Sequence, residues 1–182
     1  MSRIKRLTHS YGKYIAVPWR DAAAAQRVIF CVYHEMEELR LRAKVEEFEI
    51  ATRAAGHEWA LYDLTDSFPR WLAPQRYAKS YFQQPHLLST LLPKYLGAIE
   101  ADFEAFLRDK SVSENCVVAL LGVGSLFGFL KVKEVVDKLA PQVKGRLLVF
   151  FPGSYEDNNY RLLDGYDGWN YLAVSITADK EF

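Results

Sequence analysis

The sequence has no excess of charge of either sign, little cysteine and no long hydrophobic run, and each absence disfavours a class of protein. Its 182 residues include 23 Lys and Arg and 23 Asp and Glu, so the formal net charge is zero. Proteins that bind nucleic acid mainly through phosphates usually carry a basic excess. Balanced charge therefore weakens that assignment, except for a local basic patch. Together with 14% aromatic residues, it is more typical of a protein that works inside a complex.

The number of cysteines and the lengths of the hydrophobic runs indicate the cellular compartment of the protein. The two cysteines, Cys31 and Cys116, both lie in apolar runs, which predicts reduced thiols in the core. No apolar run approaches the roughly 20 residues that cross a bilayer. The N-terminal stretch lacks the charged, apolar and small-residue order of a signal peptide. We therefore expect a cytoplasmic protein without membrane contact.

The common catalytic and cofactor-binding patterns are also missing. No Gly-Lys-Ser/Thr run follows a glycine-rich loop, and none of the four histidines has the spacing of a zinc site. Asp63 and Asp66 lie at the end of a predicted strand, where a magnesium ligand can lie. Helix capping by Asp66 or Ser67 is the favoured interpretation. We predict a non-enzymatic protein with no catalytic residue, cofactor or metal.

Residues 116–176 are the most informative stretch that is present. They contain CVVALLGVGSLFGFL at 116–130 and RLLVFFPGSYEDNNYRLLDGYDGWNYLAVSI at 146–176. Runs rich in Val, Leu and Phe that end in Gly are typical of buried parallel strands. In open α/β sheets, ligands and partners usually bind at the loops that leave the carboxyl ends of the strands. We therefore expect the functional site in the loops at 122–128 and 152–168.

The pattern along the chain predicts an α/β fold. A strand at 28–34, a helix at 35–57 and a strand at 58–64 form a unit that implies a right-handed crossover in a parallel sheet. An irregular segment is expected at 65–89, and the remaining predicted elements are helices at 90–110 and 126–140 and strands at 116–121, 146–151 and 171–176. The predicted domain is a central, mostly parallel sheet of about five strands flanked by helices. It resembles an ATPase core without a phosphate loop, which is an analogy of fold only.

Residues 1–20 are basic and aromatic and are predicted to form an arm before a single domain at 21–182. Arg3, Lys5, Arg6 and Lys13 place four cations in the first 13 residues, and contact with phosphate is one interpretation. A solvated arm or a strand that docks on a partner is the interpretation that we favour.

The glycine turn after the third predicted strand allows two interpretations. Gly122, Gly124 and Gly128 suggest a dinucleotide site, in which the backbone approaches a pyrophosphate at a helix N-terminus. The spacing is GxGxxxG rather than GxGxxG, so a tight turn with Ser125 as the helix N-cap is favoured. A nucleotide-binding protein or enzyme that uses the turn from Gly122 to Ser125 is the alternative function.

The loop predicted at 152–168 holds the densest group of polar and aromatic residues. Tyr and Arg dominate the hot spots of protein interfaces. A solvated loop and a partner-binding surface both agree with this composition. We predict that a partner is bound by Tyr155, Glu156, Asn159, Tyr160, Arg161 and Trp169.

Three motifs in this region together resemble the BrxB family. The motifs are Gly122-Val123-Gly124 followed by Phe127-Gly128-Phe129, the strand end Val149-Phe150-Phe151-Pro152-Gly153-Ser154-Tyr155, and Asn158-Asn159-Tyr160-Arg161 with Asn170-Tyr171. The chain departs from the family pattern at Gly128, where proline is common, and at Ser154, where glutamate is common. The resemblance covers about the last third of the chain well.

This resemblance implies a small, non-enzymatic component of a bacterial BREX phage-defence system. Such a component works with PglZ (an alkaline-phosphatase-like protein), a large ATPase and an adenine methyltransferase. The assembly blocks phage replication and helps to mark host DNA. The implied partners are other BREX proteins, with PglZ as the first choice, and any contact with DNA is expected through the complex.

Overall fold

Five parallel strands form the central sheet, in agreement with the prediction. The structure is a computed structural model that describes residues 1–169 and 173–179. Its strands are β1 (Val28–Tyr33), β2 (Glu58–Asp63), β3 (Cys116–Leu121), β4 (Arg146–Glu156), β5 (Asn159–Leu162), β6 (Gly165–Trp169) and β7 (Val174–Thr177). The parallel strands lie in the order β2-β3-β4-β1-β7. Every side chain of β1 and β3 is buried, which explains their continuous apolar sequences.

Helices cover both faces of this sheet. They are α1 (Arg3–Ile15), α2 (Glu38–Arg42), α3 (Val45–Ala54), α4 (Ser67–Leu72), α5 (Ala78–Gln83), α6 (Leu92–Asp109) and α7 (Val132–Leu139). α1 and α3 bury their apolar side chains on one face, whereas α6 and α7 bury theirs on the other. No helix in the described ranges combines the length and apolar character needed to cross a bilayer.

The two cysteines lie within this core. Cys31 and Cys116 are buried and form no disulfide, as the sequence predicts. Burial, and to a smaller extent the Glu58 carboxylate, raise the pKa of the Cys116 thiol to about 11. Both thiols therefore behave as small apolar side chains at neutral pH.

The N-terminal segment is a helix packed on the sheet rather than an arm. Leu7, Tyr11 and Ile15 of α1 are fully buried. The hydroxyl groups of Tyr11 and Thr52 form a hydrogen bond of 2.6 Å, which joins α1 to α3. The basic residues of this segment occupy the exposed side of an amphipathic helix. The predicted boundary at residue 20 therefore does not separate an arm from the structure that follows.

Four further segments differ from the sequence prediction. The helix predicted at 35–57 is divided into a 3₁₀ turn, α2 and α3, and the irregular segment at 65–89 contains the short helices α4 and α5. The helix predicted at 126–140 begins only at Val132, after a 3₁₀ turn at Val123–Leu126. The loop predicted at 152–168 is largely strand, because β4 continues to Glu156 and is followed by β5 and β6.

Candidate functional site

The loops at the carboxyl edge of the sheet are joined by a polar network. Tyr33, the last residue of β1, donates its hydroxyl to Glu38. Arg42 donates from Nε to the other Glu38 oxygen at 2.7 Å and from Nη2 to Thr65 Oγ1 at 2.8 Å. Thr65 donates from its backbone N to Asp63 Oδ1 at 2.9 Å. Burial, and then the hydrogen bond and charge of Glu38, raise the pKa of Tyr33, so its hydroxyl remains a donor.

The two candidate magnesium ligands also have partners within the chain. Asp63 accepts from Thr65 and lies 3.7 Å from the Arg42 guanidinium. Asp66 lies 3.7 Å from Arg70, and it precedes α4 without making a side-chain capping bond. In the part of the chain that the structure describes, no group of three or more His, Cys, Asp or Glu side chains is arranged to hold a metal ion. The described residues at this part of the carboxyl edge of the sheet therefore do not form a cation-binding site.

The glycine turn after β3 packs directly on this network. Gly122 has a φ of 79°, and a Cβ atom there would lie 2.7 Å from the Thr65 backbone N and 2.8 Å from Asp63 Oδ1. The Ser125 hydroxyl donates toward the carbonyls of Gly122, at 2.7 Å, and Leu64, at 3.0 Å. Ser125 thus lies inside the 3₁₀ turn and does not begin α7. Glycine is required here for close packing within the protein.

Replacing Gly122 with alanine is expected to lower the free energy of unfolding by about 2 kcal/mol, because a methyl group adds both backbone strain and a steric clash. Gly128→Ala is the matched control, since Gly128 has a φ of 82° but open space around the Cβ position. The control is expected to lower the free energy of unfolding by about 1 kcal/mol, from backbone strain alone. Urea denaturation of both variants measures the difference, and equal losses would contradict the close packing of Gly122.

The N-terminus of α7 is occupied by a carboxylate of the protein itself. Asp167, in β6, is 3% exposed. Its Oδ1 accepts from the backbone N of Val132 at 2.8 Å, and its Oδ2 accepts from that of Lys133 at 3.2 Å. These amides are the groups that would bind a pyrophosphate in a dinucleotide site. Asp167 therefore fills the anion position that follows the glycine turn.

A small antiparallel sheet extends beyond the carboxyl edge. Its three strands are the end of β4, β5 and β6. Asp157 and Asn158 link β4 to β5 with φ values of 49° and 63°, which is the geometry of a tight type I′ hairpin turn. Since β4 runs without interruption from the central sheet into this hairpin, the two sheets share one strand.

The structure places four of the six predicted partner-binding residues at accessible positions of this hairpin. Glu156 and Arg161 are exposed, and Tyr155 and Asn159 are partly exposed. Tyr155 pairs with Tyr160 across the two strands, and Glu156 pairs with Asn159. Their role in binding remains a prediction. Trp169 ends β6, and its side chain lies outside the described part of the chain.

Tyr160 is the member of the predicted set that the structure does not present to a partner. It is 1% exposed, and its ring lies 4.8 Å from that of Phe30 and 5.5 Å from that of Phe151, centroid to centroid. Its hydroxyl forms a hydrogen bond with Ser175. Burial raises the pKa of Tyr160 to about 12, and the bond with Ser175 partly opposes this effect. Tyr160 joins the hairpin to the core.

The hairpin and the glycine turn meet in a patch that the sequence analysis did not identify. Phe127, 43% exposed, and Tyr166, 56% exposed, are its large apolar residues. A Cβ atom on Gly165 would lie 2.7 Å from the Phe127 ring, so the two segments are in close contact. The Lys131 ammonium lies 5.7 Å from the centre of the Tyr166 ring. We call Phe127, Lys131, Arg161 and Tyr166 the hairpin patch, since Arg161 pairs with Tyr166 whereas Tyr155 pairs with buried Tyr160 on the other face of the small sheet. The sequence analysis gave Tyr166 no role; the GYDG sequence at 165–168, an aromatic residue beside turn-forming glycines, is the signal that could have identified it.

Comparison with known proteins agrees with the motifs of these two segments. The family described as "BREX protein BrxB" matches residues 77–176, which is more than half of the chain and includes both the glycine turn and the hairpin. Searches of curated proteins and of solved structures find no match. The chain belongs to the BrxB family, and this membership places it in the BREX phage-defence systems.

Proposed function

We propose that this protein is a non-enzymatic subunit of a cytoplasmic BREX complex and that it docks another BREX protein through the hairpin patch. The observation that carries the proposal is the contact between the two family-matched segments, which leaves Phe127 and Tyr166 exposed side by side with cations. Large exposed aromatic residues beside Arg or Lys are typical of interface hot spots.

Contacts within the protein fill the carboxyl edge of the sheet, which supports a protein-binding role rather than nucleotide binding. Gly122 packs on Thr65, and Asp167 occupies the N-terminus of α7, so the turn from Gly122 to Ser125 offers little room for a phosphate. The turn after β1 carries Glu35, Glu37 and Glu38, whose charge disfavours phosphate there as well. The sheet is proposed to resemble an ATPase core in fold alone, and these contacts disfavour nucleotide binding at its carboxyl edge.

The hairpin patch is suited to a preformed protein interface. The antiparallel pairing of β4, β5 and β6 fixes its backbone, and buried Tyr160 anchors it to Phe30 and Phe151. A patch whose backbone is already ordered loses little conformational entropy when it binds. Family membership implies other BREX components as partners, and among them we propose PglZ.

The double variant Tyr166→Ala/Arg161→Ala is expected to weaken binding to PglZ at least about tenfold, because both side chains are exposed and of the types that dominate hot spots. Binding is measured by pull-down of purified PglZ and quantified by titration. Circular dichroism and the melting temperature should remain close to those of the wild type, since exposed side chains contribute little to stability.

Tyr77→Ala/Lys79→Ala is the matched control, because Tyr77 is 55% exposed, Lys79 is also exposed, and both lie in α5 or beside it. This control should bind PglZ as the wild type does. Equal affinities for all three proteins would refute the hairpin patch as the docking surface. A wild-type chain that does not bind PglZ would remove PglZ as the partner and direct the same titration to the ATPase and the methyltransferase.

A further inference from the structure

The exposed side of α1 is basic, and the helix supplies no carboxylate of its own. Residues 1–20 contain no Asp or Glu. Lys5, His9 and Lys13 are exposed and follow one another at intervals of four residues, so they share one side of the helix. Arg3 and Arg6 point toward Asp179, at 2.7 and 4.0 Å. Lys5 and Lys13, by contrast, form no ion pair with any described residue.

A basic cleft lies at the amino edge of the central sheet, beyond the C-terminal end of α1. It has a volume of about 830 Å³, and the cations in its lining are Arg20, Arg27, Lys144 and Arg146. The acidic residues in its lining are Asp21 and Glu114. Among the described residues, none of these four cations forms an ion pair, although many other Arg and Lys side chains of the chain do. The cleft thus concentrates positive charge in a protein with no net charge.

Two of the cleft guanidinium groups are held in place by backbone carbonyls rather than by carboxylates. Arg27 donates to the carbonyls of Ala22, at 3.1 Å, and Val143, at 2.9 Å. Arg146 donates to the carbonyl of Arg20 at 3.2 Å. Carbonyl bonds fix the position of a guanidinium and leave its charge uncompensated, so the cations are ordered before any anion arrives.

Trp19 connects the cleft to the end of α1. Its ring stacks on His57 at 3.8 Å between centroids, and the Arg146 guanidinium carbon lies 4.6 Å from the ring centroid. Burial raises the pKa of the Tyr14 phenol, near the end of α1, and the charge of Arg146 partly opposes this effect. The C-terminal end of α1 and the cleft are therefore neighbours, and the basic side chains of α1 extend away from the cleft along the helix.

We propose that this region, the basic face formed by Lys5, Lys13, Arg20, Arg27, Lys144 and Arg146, binds the phosphodiester backbone of nucleic acid without reading its sequence. The 13 residues of α1 alone extend about 20 Å, so the face is longer than a single phosphate group needs. Nucleic acid presents regularly spaced phosphates over such a length. The contacts of Trp19 with His57 and Arg146 occupy its ring, which leaves backbone contacts as the main source of affinity.

The test uses the full chain and a fluorescently labelled 20-nucleotide DNA, as single strand and as duplex, in anisotropy titrations from 50 to 200 mM salt. If about four phosphates are contacted, the affinity should fall about 100-fold over this range. The triple variant Lys13→Gln/Arg20→Gln/Lys144→Gln should bind at least tenfold more weakly at low salt, with a salt slope reduced by about three. All three residues are exposed, so the fold should be retained.

Lys79→Gln/Lys94→Gln/Lys110→Gln is the control, because it removes the same charge from exposed positions elsewhere. It should change the affinity less than twofold. Equal losses in the two triple variants, or an affinity that does not depend on salt, would overturn the proposal. Displacement of DNA by poly-glutamate at equal charge, or by inorganic phosphate at constant ionic strength, would also overturn it, since either result indicates a general anion site. The hairpin patch is untouched by these variants, so binding to PglZ should not change.

Discussion

Tyr160→Ala is expected to lower the free energy of unfolding by about 3–5 kcal/mol, which is the range for truncating a buried aromatic residue. The ring is 1% exposed and contacts the rings of Phe30, Phe151 and Tyr155. Its removal leaves a cavity at the junction of the hairpin and the central sheet. For a domain of this size, the melting temperature should fall by roughly 10 °C.

Two single substitutions separate the causes of this loss. Tyr160→Phe keeps the ring but removes the hydroxyl that pairs with Ser175, and it should cost about 1 kcal/mol. Tyr166→Ala removes the same type of side chain from an exposed position of the next strand, and it should cost well under 1 kcal/mol. Urea denaturation followed by circular dichroism ranks the three variants. A loss for Tyr160→Ala as small as that for Tyr166→Ala would show that Tyr160 is not a core residue.

Asp167→Ala is expected to lower the free energy of unfolding by about 3 kcal/mol. The substitution removes two hydrogen bonds to a carboxylate. The backbone amides of Val132 and Lys133 then lose the Asp167 side chain as their acceptor. The loss of negative charge at the N-terminus of α7 adds to this cost. Because Asp167 belongs to β6, the small antiparallel sheet should also separate more readily from α7. Hydrogen exchange at the first turn of α7 should accelerate.

Asp164→Ala is the control for Asp167, since Asp164 is exposed and lies in the turn before the same strand. It should leave the stability within about 0.5 kcal/mol of the wild type. Asp167→Asn should give an intermediate loss, because one amide oxygen can still accept but the charge is gone. Similar stability of all three variants would argue against the contact between Asp167 and α7.

The sequence was a reliable guide to the buried strands. The strand predicted at 116–121 coincides with β3, and the strand predicted at 28–34 extends one residue beyond β1. Burial on both faces of a parallel sheet produces continuous apolar runs, which are a strong local signal. The family motifs were equally informative, because they lie on the two segments that meet in the hairpin patch.

The features that the sequence did not reveal depend on contacts between distant residues or on rare backbone conformations. The late start of α7 is fixed by Asp167, a residue more than thirty positions away that caps it. The hairpin requires positive φ values at Asp157, Asn158 and Leu163, and leucine seldom adopts that conformation. The polar and aromatic composition of its segment predicts that Tyr160 binds a partner, yet strand alternation turns its side chain inward.

The interior position of β1, between β4 and β7, affects the order in which a newly synthesised chain can fold. Val28 pairs with Leu147, and Ile29 pairs with Val174, so both neighbours of this strand are translated much later than the strand itself. Pairing between residues far apart in the chain is slow, because a long loop must close first. The apolar run VIFCVY therefore leaves the ribosome long before its partners, and unpaired strands of this kind promote aggregation. We therefore expect that a chaperone that shields the first strand until β4 has been made increases the yield of folded protein.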